Sequence, residues 1–148
     1  MKRSMLALFA VMFYLQCAAA DAPPPAAGAT AGPSVIFSSA LKDAPGKKLV
    51  VVALTLAPKG KSPPHPHHHP GSVYVYVTQG VARLGLKGQP VKEVHIGESF
   101  FEAPGSVHTV SESASATEPA YAIAVMLVPD GAPLATPEVA DHHGEADK

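Results

Sequence analysis

Residues 65–80 read HPHHHPGSVYVYVTQG, and residues 97–108 read GESFFEAPGSVH. In the first stretch a histidine tract leads into alternating valine and tyrosine: Val73, Val75 and Val77 against Tyr74 and Tyr76. A two-residue period marks a strand with one buried face. The valines are therefore predicted to share one face of the strand and the tyrosines the other. Two histidines one residue apart on extended chain project to the same side and can reach one ion. Imidazole is also the commonest protein ligand for transition metals. Taken alone, the tract equally fits a solvated, metal-collecting loop.

Outward from this centre the chain is a series of short apolar runs separated by turn residues. Val35-Ile36-Phe37 comes first, and Lys48 to Ala57 (KLVVVALTLA) is a longer β-branched run. Pro58-Lys59-Gly60 turns the chain. Beyond the central strand lie Val81 to Leu86, Val91 to Ile96, Ser99 to Glu102, Val107 to Ser111 and Ala120 to Val128, with glycine or proline at most junctions. Seven or eight short strands at this spacing predict an all-β sandwich or barrel. No segment outside the N-terminus keeps a helical period, and no internal repeat or phosphate-binding loop stands out.

The 148 residues suit one domain, and 47% of them are hydrophobic, a globular composition. Eleven Lys and Arg against twelve Asp and Glu give a net charge of −1, which lacks the basic footprint of a nucleic-acid binder. The N-terminus has the form of an export signal over residues 1–20. Lys2 and Arg3 precede an apolar run from Met5 to Leu15, and Ala18-Ala19-Ala20 offers cleavage before Asp21. The run is short for a membrane span, so the processed protein is expected without one, in the periplasm or outside the cell. Cys17 allows lipid anchoring as the lesser alternative, since Gln16 stands where such sites prefer a small residue. Cleavage at Ala20 leaves no cysteine, which removes disulfides and a thiol nucleophile from the mature chain. Residues 21–34 read as a disordered leader, 35–129 as the barrel and 130–148 as a flexible polar tail.

The two quoted stretches resemble the paired motifs of the cupin superfamily, and more narrowly its small bacterial single-domain members. His67-x-His69 and Gly80 carry the first motif; the rival pair His65-x-His67 lies too far from Gly80. Gly97, Gly105 and His108 carry the second, with Ala103 where that motif has its first proline. The resemblance covers residues 49–128. It implies a double-stranded β-helix, or jelly roll, with His67, His69 and His108 as metal ligands. It also implies that Val73, Val75 and Val77 line the barrel while Tyr74 and Tyr76 face outward, where they suit a subunit contact and a homodimer. The glutamate of the first motif falls at Val73, which cannot ligate, so three ligands carry over and not four.

Three neutral imidazoles leave a divalent ion its full double charge and favour an anionic small-molecule ligand. Zn, Fe, Cu, Mn and Ni all suit imidazole. Glu98 and Glu102 are read as solvent-facing, and Glu112 as a supporting residue at a motif position that often holds Asn. Phe100 and Phe101 are both read as core, His95 as an ordinary strand residue, and His142 and His143 as part of the tail. Two function classes follow: a protein that binds metal and a small anion, which the missing motif glutamate favours, or a metal-dependent oxygenase or isomerase acting on a small anionic metabolite.

Overall fold

The computed structural model describes residues 32–61 and 66–138. The readings of the export signal, Cys17, His65, His142 and His143 lie outside them. The described chain is all β, in ten strands: β1 Gly32–Ala40, β2 Lys47–Leu56, β3 His67–His68, β4 Ser72–Gln79, β5 Ala82–Leu86, β6 Lys92–Val94, β7 Ser99–Glu102, β8 Val107–Ser113, β9 Ala120–Pro129 and β10 Thr136–Pro137. They form two five-stranded sheets, in the orders β1-β2-β9-β4-β7 and β10-β3-β8-β5-β6, and every pairing is antiparallel. Strands distant in sequence are thus neighbours: β9 lies between β2 and β4, and β8 between β3 and β5.

Alternation along the strands makes the core. Val73, Val75 and Val77 are buried, while Tyr74 and Tyr76 are exposed on the opposite face, as their parity requires. Along β9 the same period buries Ala120, Ala122, Ala124, Met126 and Val128. Val50, Val52 and Leu56 of β2 complete this wall, and Ala82, Leu84, Leu86 and Val94 face it from the other sheet. Apolar surface removed from water is worth about 25 cal/mol per Å², so these inner faces are the main source of stability.

Two loops show why glycine is needed. Gly80, between β4 and β5, has φ of 74°, a conformation that L side chains rarely adopt, and an added Cβ would lie 3.2 Å from Ala120. Gly71 leads from the histidine tract into β4 and passes against β9. A Cβ there would lie 1.9 Å from the carbonyl oxygen of Leu127 and 2.8 Å from the Val128 Cα.

The edges depart from the sequence reading. β1 begins at Gly32, inside the stretch read as leader, because Gly32, Pro33 and Ser34 pair with Thr55, Leu54 and Ala53 of β2. Within the stretch read as tail, residues 136–137 form β10, which pairs with β3, and Glu138 N donates to Pro66 O. The run from Val91 to Ile96 contracts to β6, leaving Val91 and Ile96 exposed. Phe101 is exposed as well, since only one of two adjacent strand residues can face the core, and that one is Phe100.

Candidate metal centre

β3 and β8 bring the histidines together. His67 is the direct cross-strand partner of His108, so their side chains share a face. The two rings stack with centroids 5.3 Å apart and planes inclined by 9°. The His69 ring meets His67 edge-on at 4.8 Å. Gly105 N–H, in the turn before β8, donates to the His69 carbonyl at 3.0 Å and ties the second motif to the first. All three histidines line a cavity of about 690 Å³ between the sheets, a volume suited to a small ligand. Its walls are largely aliphatic, with Val52, Leu54, Leu56, Val73, Met126 and Leu134 among them. His68 has the opposite parity to His67 and is not part of the lining.

A fourth side chain belongs to this group, and the sequence reading missed it. Glu102, read as solvent-facing, is 2% exposed and lines the same cavity. The cause is strand parity. Glu102 shares a face of β7 with Phe100, and Phe100 is in the core. Its Oε1 is 2.9 Å from His108 Nδ1, and its Oε2 lies 3.9 Å from His69 Nε2 with no hydrogen-bond partner. The alternation in SFFE could have found it, because accepting Phe100 as core puts Glu102 inside.

The remaining hydrogen bonds set the state of the rings. A carbonyl only accepts, so His69 Nδ1–H donates to Leu134 O at 2.5 Å. In a neutral ring this leaves the lone pair on Nε2, facing Glu102. Such a backbone partner is typical of metal-ligating histidines, whose orientation it fixes. His108 Nε2–H likewise donates to Val110 O, at 2.6 Å. With Nδ1 bonded to Glu102, both nitrogens of His108 are engaged. Accordingly, among the described residues no three His, Cys, Asp or Glu side chains are arranged to hold an ion as they stand. The donor chemistry nevertheless suits a divalent transition ion: three clustered imidazoles and a buried carboxylate oxygen without a donor. Loss of the proton between His108 Nδ1 and Glu102 would free a nitrogen, with Nε2–H still held by Val110 O.

Two other glutamates fall outside the group. Glu112 pairs with Arg83 of β5 and accepts from Gly60 N at 2.8 Å, so it fastens the turn after β2 to the second sheet. Glu98 is exposed and accepts from His95 N.

A family model described as "Cupin domain" matches residues 52–126. No curated protein sequence matches the chain. Among solved structures, an uncharacterized conserved protein with a double-stranded β-helix domain from Klebsiella pneumoniae aligns with a TM-score of 0.54 and 22% identity, covering 79% of this chain and 90% of that one. A cupin-like protein from Thermotoga maritima aligns with a TM-score of 0.51 and 19% identity, over 73% and 75% of the two chains. A DMSP lyase from Ruegeria pomeroyi aligns with a TM-score of 0.50 and 18% identity over 62% of this chain, which spans 45% of the lyase's length. At these identities the likeness speaks for the fold alone.

Proposed function

The chain belongs to the cupin domain family, and from that premise we propose that it is an exported protein that binds a divalent transition metal and a small anionic ligand. His67, His69 and His108 would hold the metal. The observation that carries this reading is the clustering of three imidazoles and a buried carboxylate in one cavity between the sheets. Bound there, a metal would supply positive charge to attract and orient an anion. The chain's own residues do the rest. Leu134 O fixes the His69 ring, Val110 O fixes the His108 ring, and aliphatic walls exclude water and favour a ligand with an apolar body behind its charged end.

Metal analysis of the purified protein tests the site. About one ion per chain is expected. Several loosely held ions per chain would instead indicate a collecting tract, and none would defeat the reading.

Export is supported by the charged start, the apolar run and the alanines before Asp21. Protein recovered from its native host is expected to begin at Asp21 on N-terminal sequencing. A lipidated Cys17 would replace this with a membrane-anchored form, and an intact Met1 would exclude export by cleavage.

A further inference from the structure

Glu102 carries an unsatisfied demand. Its Oε2 is buried without a hydrogen-bond donor, a condition that destabilises a folded chain. Across from it, at 3.9 Å, stands His69 Nε2, whose lone pair is exposed because Nδ1–H is committed to Leu134 O. In the neutral ring two lone pairs thus face each other inside the cavity. A cation satisfies both at once: two metal–ligand bonds of about 2.0–2.2 Å together exceed the gap, so one ion can touch both atoms.

The sheet register adds an independent observation. Val73 of β4 and Glu102 of β7 are direct cross-strand partners, so both side chains enter the barrel at one level. A carboxylate absent from position 73 is therefore supplied one strand away.

We propose that Glu102 is a direct metal ligand, completing a site of three imidazoles and one carboxylate; this rests on the three-histidine reading above. Oε2 binds the ion, which takes the place of the proton between Oε1 and His108 Nδ1, so that Nδ1 ligates while Nε2–H keeps its bond to Val110 O. The carboxylate lowers the charge of a divalent ion from two to one, so the site is matched to a monoanionic ligand.

Zinc affinity, measured by equilibrium dialysis on the full mature chain, tests the assignment. Urea unfolding without metal checks that each variant folds. Glu102→Gln keeps the shape and removes the charge, and it is expected to weaken zinc binding by about a hundredfold or more. The double variant Val73→Glu, Glu102→Val returns the carboxylate from β4 and is expected to recover affinity to within about tenfold of wild type, which goes beyond what altered orientation of His108 could restore. Wild-type affinity in Glu102→Gln, alongside loss of zinc in His108→Ala, would overturn Glu102 as a ligand and leave the histidines standing. A folded double variant no better than Glu102→Gln would also overturn it. Full zinc in His108→Ala would instead defeat the underlying three-histidine reading.

Discussion

Replacing Gly71 by alanine is expected to destabilise the fold by about 3–5 kcal/mol, a large share of the roughly 5–15 kcal/mol typical of a domain. The atoms that an added Cβ would meet are the Leu127 carbonyl group and the Val128 Cα, all backbone and all in the central strand of a sheet. No side-chain rotation can relieve such a contact, so either β4 must move away from β9 or the ladder between them must break. Ser72, the next residue, pairs with Leu127, which leaves no slack. Gly88→Ala is the matching control. Gly88 has φ of 78° but no atom within 4 Å of a built Cβ, so only the backbone conformation is penalised, at about 1–2 kcal/mol. Urea denaturation with unchanged m-values makes the comparison. Equal losses in the two variants would show that the chain does not pass β9 as closely as described.

His108→Ala is expected to remove most bound metal, while His68→Ala leaves the content near wild type. His108 is the one histidine contributed by the second motif, and its loss also strips Glu102 Oε1 of its hydrogen bond. Leaving a buried carboxyl without its partner costs about 3 kcal/mol, so His108→Ala should be less stable even without metal. His68 points away from the cavity, and its replacement should move neither quantity. In the wild type, metal at a hundredfold excess over Kd should add about 2.7 kcal/mol of stability, seen as a rise in Tm. Metal content by mass spectrometry and Tm with and without zinc decide the matter. Full content in both variants, or a greater loss in His68→Ala, would reduce the histidine tract to a loose collecting patch.

The strand positions were legible because their period is local. Val73, Val75 and Val77 announce a buried face in five consecutive residues, and Gly80, Gly97 and Gly105 fall at turns where φ is positive. The three histidines were legible through motif spacing, since spacing reports the length of strands and turns. Glu102 was not, for two physical reasons. A carboxylate is read as exposed by default, and the parity of a four-residue strand weighs little against that default. Its position opposite Val73 depends on the pairing of β4 with β7, a non-local choice that no run of sequence encodes. The same holds for β10, whose two residues carry no pattern and are held by β3 and by the bond from Lys87 to Glu138.

The place of β9 between β2 and β4 also bears on how the protein is made. Synthesis runs from the N-terminus, so β2, β4 and β7 all leave the ribosome before the strand that joins them. Until residues 120–129 arrive, KKLVVVALTL and SVYVYVTQ lack the neighbour they share, and each is an apolar, β-prone segment of the kind that associates with other chains. Closure of the barrel is therefore a late, long-range event, slow by the standards of local folding. Under the export proposed above, this delay is an advantage: an unclosed chain stays threadable through a translocon, with chaperones shielding its exposed strands until β9 follows.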